Sequence, residues 1–580
     1  MSTKYINSNY RISRRNATIF ILVGFLAIQN LAFQIIFKLN IPYSIDFTDV
    51  FSPMFNQIIK DEFSFLVNKG IHVIFFPKLI SYPNFYLNSF DVVNITYVYW
   101  IVISITLFFM YLMIKQTDKR LFWTLIPISA FLYNPLTTSG YWMVAMLAWY
   151  FPMLGITSII YLFNRKIINL KIFASGVSFA IFSTFSILLG VVSWIAGIFI
   201  LLKVVSEKRL ENKKWIFLWI ISSMIVGFCY LYLTYGTTDS ETHFDVLFSF
   251  TGFSFISNFI ASSFRLKFEN LMLLAGTLSL SLSIFYIWIF YKKNLLKEYF
   301  PWFTLLLTAF CGSVITTLGR AHLENHFGNE PYYSPISQLF QIGLIVITGK
   351  LIIEFNQNPK TLQRKIFASI LIFVIVTQML LLIPSYYSGW ERGEYYFNEK
   401  MDFVNCFTLS PNPNCLDRYS TYEDDFLPMI NYLIENKLSV FGESFIINQE
   451  DMVSQNFNNF EHFTELSSTN NFESINDNKV VNMSQYELDS EIISLNGSFQ
   501  VDSNSIPQSL FLIIDGKPLL ENKTFEIKSD SPKNMYAKVS WSIFFLSGYM
   551  ESGCHSLQFV AVTSNEKINL DDEFIICKNN

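Results

Sequence analysis

Apolar runs of roughly 17 to 25 residues, the length that carries a helix through a hydrocarbon core of about 30 Å, recur along most of this chain. Such runs leave few folds open, because a backbone in lipid must satisfy its own hydrogen bonds and does so as a helix or a closed barrel. Eleven spans are expected, near 17–37, 94–114, 121–137, 144–163, 171–187, 189–203, 215–235, 270–291, 299–318, 335–353 and 366–385. The runs at 121–137 and 171–203 are the weakest, the second because Ser186 to Gly190 breaks it only faintly. With 52% hydrophobic and 15% charged residues over 580 positions, a soluble cytosolic enzyme is excluded.

Charge divides the chain at the end of the last run. Residues 1–385 carry 29 Lys and Arg against 16 Asp and Glu, while residues 386–580 carry 12 against 29. Within the first part, alternate connecting segments hold 22 and 7 basic residues, the poorer set containing the longest loops. Short basic loops stay in the cytoplasm, so eleven spans imply a multi-pass plasma-membrane protein with a cytoplasmic N-terminus and an extracellular C-terminal region. No basic stripe stands apart from the spans, which excludes a nucleic-acid binder.

Three divisions are expected: a transmembrane domain over 1–385, a helical and irregular region over 386–490, and a β-domain over 491–580. The first external loop, 38–93, is too long and apolar for a connector, and Val50–Ile59 and Phe63–Ile80 read as interfacial amphipathic helices. Phe244–Phe264 reads as a re-entrant or interfacial helix. In the tail, Tyr422–Leu438 has the pattern of an amphipathic helix. From Ile492 the apolar period becomes two, giving about six short strands at Ile492–Val501, Leu510–Ile514, Phe525–Lys528, Ala537–Phe545, Ser556–Val562 and Phe574–Cys577. Asp515-Gly516 signals a hairpin, and a small antiparallel β-sandwich is expected. Cys229 and Cys311 fall in spans; of the tail cysteines, Cys406 pairs naturally with Cys415, leaving Cys554 with Cys577, against the alternative of free thiols.

Chemistry is expected where charge meets the outer surface. Asp46 and Asp49 follow the first span at the depth where the chain leaves lipid, which suits a general base acting on an acceptor hydroxyl. The same carboxylates also suit the N-cap of an interfacial helix. Arg320 stands at the outer end of a span, with His322, His326, Tyr332 and Tyr333 close behind. A guanidinium with added donors matches a phosphate leaving group, and reaching for lipid headgroups is the alternative. His72, Lys78, Arg265 and Lys267 are further outer-side cations, Lys78 and Lys267 reading as snorkelling residues. Asp239, Glu241 and His243, with Asp46 and Asp49, offer oxygen ligands, but no zinc spacing, nucleotide loop or Ser/His/Asp set is present, so neither a metal nor another cofactor is expected.

Several segments together resemble the GT-C superfamily of polytopic membrane glycosyltransferases, and within it a prokaryotic group with an external C-terminal β-domain. They are Ile71-His72-Val73 through Pro77-Lys78-Leu79-Ile80, Trp142 through Tyr150, and Gly319-Arg320 followed by Tyr332-Tyr333. Leu438-Ser439-Val440-Phe441 and Gly553-Cys554-His555-Ser556-Leu557 extend the likeness into the tail. The group commonly carries an acidic residue before the histidine and an arginine at the place of Lys78. The resemblance implies a polyprenyl-phosphate-linked sugar donor, an external glycan, lipid or protein acceptor, and a catalytic acid in the first external loop, which maps onto Asp46 with Asp49 second. A flippase of lipid-linked glycans and a non-catalytic anchor displaying a binding domain are the competing functions. Neither an internal repeat nor a charge well inside a span supports the flippase.

Overall fold

The computed structural model describes residues 14–38, 73–87, 91–136, 147–165, 167–206, 213–234, 244–266, 268–321, 328, 330–356, 362–408, 426–436, 438–439 and the strands between 463 and 578. The helices are α1 (Arg14–Ile36), α2 (Phe75–Leu87), α3 (Val93–Thr117), α4 (Leu125–Leu132), α5 (Leu147–Phe163), α6 (Leu170–Thr184), α7 (Val192–Ser206) and α8 (Lys213–Thr234). They continue with α9 (Phe244–Leu247), α10 (Phe250–Ala261), α11 (Glu269–Lys292), α12 (Leu296–Arg320), α13 (Ser334–Asn356), α14 (Leu362–Thr408) and α15 (Phe426–Glu435). Contacts divide the chain into a body that holds Val93–Tyr395 and a second unit that holds Tyr396–Asn580. The division falls inside α14, which passes position 385 without a break.

Among the described residues, eight helices are long and apolar enough to cross a membrane. Large apolar side chains stand exposed along them, among them Phe25, Phe108, Phe228, Leu231, Ile284 and Phe373. Monomers in water do not expose apolar surface on that scale, and these faces fit lipid. The expected runs near 121–137, 144–163 and 171–187 form shorter described helices instead, α4, α5 and α6. The first begins as a 3-10 turn over Lys119–Thr124. It stops where the Asn134 side chain accepts from Leu136 N at 3.0 Å, next to Pro135, which disfavours helix in the residue before it. The faint break at Ser186–Gly190 is a real one. α6 ends at Thr184, a 3-10 turn follows over Leu188–Val191, and Gly190 packs so closely on the Ser183 carbonyl that no Cβ fits.

Helices that stop inside an apolar slab leave carbonyl oxygens open, and each must find a donor. Here long neighbouring helices supply them. At the end of α4, Phe131 O accepts from Gln338 Nε2 at 2.6 Å, Ala130 O from the Tyr386 hydroxyl at 2.9 Å, and Tyr133 O from Asn30 Nδ2 at 3.0 Å. At the end of α10, Ile260 O accepts from Ser337 Oγ at 2.7 Å and Gln341 Nε2 at 3.0 Å, and Ser262 O from Ser334 Oγ at 3.2 Å. Four of these donors lie on α13, whose residues Ser334 to Ile352 are all buried.

One end of the body gathers the basic residues. Asp118 caps the 3-10 turn and binds Arg120 through its side chain at 2.7–3.1 Å. It also accepts from the Tyr299 hydroxyl at 3.3 Å and faces Lys350 Nζ at 3.5 Å, while Lys350 bridges to Glu354 at 2.8 Å. Lys203 donates to Asn164 at 2.8 Å, and Arg15 to Arg120 O at 3.3 Å. Burial works to raise the Asp118 carboxyl, but the Arg120 hydrogen bonds and the charges of Arg120 and Lys350 outweigh it and hold it at about 2.

In the C-terminal unit the described residues include eleven strands, the expected six among them: β1 (Phe463–Leu466), β2 (Asn471–Ile475), β3 (Asn478–Lys479), β4 (Gln485–Leu488), β5 (Ile492–Asp502), β6 (Ser509–Ile514), β7 (Lys517–Asn522), β8 (Phe525–Lys528), β9 (Tyr536–Leu546), β10 (Gly553–Val562) and β11 (Lys567–Lys578). They form two sheets, β1-β11-β10-β6-β7 with β4 also on β11, and β3-β2-β5-β9-β8. The expectation of an antiparallel domain starting at 491 is corrected on two points. Strands begin at Phe463, and β1 and β4 both run parallel to β11. A hairpin at Asp515 joins β6 to β7 where the Asp515-Gly516 signal is expected, with Asp515 at φ 50°. Its carboxylate accepts from His555 Nδ1 at 2.7 Å and Ser556 N at 2.8 Å, contacts that hold the carboxyl below its usual range. Cys554 is disulfide-bonded, and its backbone stands opposite that of Cys577 in the β10–β11 ladder. Cys415 lies outside the described residues.

Two outcomes are expected. Ser337→Ala removes the donor to Ile260 O and the acceptor of Ser263 N, and should cost about 1–3 kcal/mol. Ser281→Ala, at an exposed hydroxyl that bonds only its own helix, should cost little; equal unfolding midpoints in detergent would refute the capping role. For Asp118, a folded value of about 2 against an ordinary 3.8 means its contribution is complete above about pH 4 and lost as pH falls towards 2. Thermal unfolding scanned downward from pH 7 should show that acid limb flattened in Asp118→Asn, together with a lower midpoint at pH 7.

Candidate functional site

Arg320 is the last residue of α12, which closes with Ala321 N donating to Thr317 O at 3.0 Å. Its Nη1 donates to the Tyr332 hydroxyl at 3.2 Å, and its guanidinium carbon lies 5.7 Å from the Tyr332 ring centre. Tyr332 and Tyr333 belong to a 3-10 turn, Pro331–Tyr333, that runs straight into α13. Tyr333 N donates to Glu330 O at 3.0 Å and tightens that turn. The pair is thus placed by the start of the most buried helix of the body.

Aromatic rings wall the site. Trp149 of α5 lies 5.0 Å from Tyr332 and 5.7 Å from Tyr333, and the two tyrosines are 4.6 Å apart at 73°. From α10, Phe259 and Phe255 reach Tyr333 at 4.9 and 6.0 Å. Gly328, at φ 73°, lies on the Phe255 carbonyl where a Cβ has no room. Tyr332 is half-buried and Tyr333 wholly so.

Electrostatics keep both phenols protonated. Burial pushes the Tyr333 hydroxyl far above its ordinary value; the adjacent Tyr332 adds to the shift and Arg320 opposes it. Burial also raises Tyr332, with Arg320 again opposing. The buried Tyr333 hydroxyl makes no hydrogen bond within 3.5 Å among the described residues, although Tyr332 and Arg320 lie near enough to act on it. A buried, unpartnered donor is costly unless a ligand or water satisfies it. A fork-shaped cation with two hydroxyls beside it is a set suited to an oxyanion such as phosphate.

The structure therefore brings together Arg320, Tyr332 and Tyr333 of the expected residues. Asp46, Asp49, His72, His322, His326 and Lys267 lie outside the described residues. Lys78 departs from the snorkelling expectation. Its side chain is buried on α2, whose Phe76 packs on Phe182 at 4.7 Å and whose preceding Val73 N meets the Tyr230 hydroxyl at 3.4 Å. A buried ammonium does not reach headgroups. Among the described residues no group of three or more His, Cys, Asp or Glu is placed to hold a metal ion, and Asp239, Glu241 and His243 lie outside them. Trp149, Phe255 and Phe259 were not expected as site residues. Trp149 sits in the Trp142–Tyr150 segment that carried the resemblance, but the two phenylalanines have no local signal.

No protein-family model, curated protein or solved structure matches the chain.

Tyr333→Phe, which removes only the unpartnered hydroxyl, should leave the unfolding midpoint unchanged or raised. Tyr333→Ala should cost about 3–5 kcal/mol, the usual loss for a buried aromatic ring. A Tyr333→Phe variant as unstable as Tyr333→Ala would show that the hydroxyl is satisfied within the fold.

Proposed function

We propose that the chain is a membrane glycosyltransferase that moves a sugar from a polyprenyl-phosphate-linked donor to an external acceptor, a surface glycan, lipid or protein. One observation carries the reading: a guanidinium and two protonated hydroxyls, one buried without a partner, meet at the end of the body away from its basic cluster. Phosphate departing from the sugar gains negative charge, which Arg320, Tyr332 and Tyr333 are suited to receive. His322 and His326 add donors in the same loop, and His72 and Lys78 add positive charge from the first. Asp46, with Asp49 second, takes the proton from the acceptor hydroxyl. The proposal includes a GT-C-like body of about eleven spans in the plasma membrane, a cytoplasmic basic end and an external tail whose two sheets pack as a sandwich.

A flippase of lipid-linked glycans is the second reading, favoured by the polar row Ser334, Ser337, Gln338 and Gln341 inside the body and by the unpartnered oxygens of Gln338 and Gln378. The two readings separate on product. Protein in nanodiscs, given a panel of polyprenyl-phosphate sugars and candidate acceptors, should release polyprenyl phosphate; a flippase moves the lipid and leaves the linkage intact. Asp46→Asn should abolish release. Arg320→Lys should cut it by about 10-fold or more, since a single ammonium cannot reproduce the guanidinium fork. Full turnover in Asp46→Asn would remove that residue as base.

A further inference from the structure

Helix α10 has 12 residues, about 18 Å, too short to cross a bilayer. It nevertheless does not lie on the surface. Ile260 O meets Gln341, seven residues and about 10 Å into α13 from Ser334. Gly276, seven residues inside α11 from Glu269, packs on the Ser257 backbone. The Ser257 hydroxyl lies 3.4 Å from Thr277 Oγ1, and Gln341 also reaches Ser279 at 3.3 Å. Two helices of membrane-crossing length thus hold α10 below their own ends. Its open carbonyls are satisfied by α13, the condition under which a helix can stop at membrane depth.

The two faces of this segment differ. Phe255, Ile256, Phe259 and Ile260 are buried, and two of them wall Tyr333. Phe244, Phe248, Phe250 and Phe253 are exposed, Phe248 by 90%. The exposed face has a neighbour of the same kind, for Phe268, Leu271, Leu274 and Leu278 of the adjoining turn and α11 are also exposed and apolar. Among residues 244–266 the acid Asp245 is the one carboxylate, and the exposed phenylalanines are otherwise flanked by Val, Leu, Ser, Thr and Gly.

We infer that residues 244–264 form a re-entrant aromatic partition, with phospholipid acyl chains on the Phe248 face and the Arg320–Tyr332–Tyr333 site on the other. The occupant of the exposed face is the bilayer interior, because that face adjoins the exposed apolar surface of α11, on which the segment packs through Ser257. This inference needs only a bilayer around the body and stands apart from the transferase reading.

The full chain in phosphatidylcholine nanodiscs, carrying the photocrosslinker p-benzoylphenylalanine at Phe248, Phe253, Phe259 or Phe228, tests it. Phe228 is an exposed residue of the membrane-crossing helix α8 and serves as reference. After irradiation, peptides holding 248 and 253 should carry phospholipid as the 228 peptide does, and the 259 peptide should not. Phospholipase C should leave diacylglycerol on the 248 peptide, which marks attachment to an acyl chain. Lipid on 228 but none on 248 would overturn the inference, as would loss of diacylglycerol on digestion, which places 248 among headgroups. Equal lipid on 259 and 248 would refute the two-faced partition.

Discussion

The open carbonyls of two short helices set the terms for the rest of the body. A helix that stops in an apolar medium strands acceptors that water cannot reach, at a cost of several kcal/mol per group. Helices α4 and α10 both stop inside the packed body, and both end against side-chain donors. Gln338, Ser337, Gln341 and Ser334 come from α13, with Asn30 from α1 and Tyr386 from α14. α13 is therefore more than an apolar axis. Its polar row serves the irregular elements, and those elements in turn form the wall of the candidate site.

The same helix links the two ends of the body. Its first turn follows Tyr332 and Tyr333, and its last turns carry Lys350 and Glu354 into the Asp118 cluster. At the basic end the donors and acceptors are matched. Asp118 is shared by Arg120, Tyr299 and Lys350, so burial is offset by direct charge and hydrogen bonding. At the other end the Tyr333 hydroxyl is left over. The two ends of α13 thus differ in how fully their polar groups are matched within the fold.

Helices that carry one long apolar run are legible in the sequence alone. α3, α8, α11, α12 and α13 fall within a few residues of the expected spans, because length and hydropathy alone decide them. The run near 121–137 forms a 3-10 turn and a short helix, since composition does not show that Asn134 and Pro135 end the helix on neighbouring side chains. In the tail, β5, β6, β8, β9, β10 and β11 follow the alternation, whereas β1 to β4 do not. Of these short strands, β1 and β4 pair with β11 and β2 with β5, partners well along the chain, while β3 pairs only with β2; local periodicity carries no record of the distant pairings. For the site, Arg320, Tyr332 and Tyr333 were readable as neighbours in one loop, while Phe255 and Phe259 reach Tyr333 only through the return of α10.

By itself the sequence determined that this chain carries helices long and apolar enough to cross a membrane, that its basic residues concentrate in alternate connecting segments, and that its tail turns to strands. These follow from terms that add residue by residue: transfer of apolar side chains, charge counts and alternation. Only the tertiary structure decided that α10 dips into the body rather than lying on it, that Lys78 is buried rather than snorkelling, and that one tyrosine hydroxyl is left without a partner. Each of these depends on which distant donor or ring occupies the facing position, a pairwise condition that no local window of sequence contains.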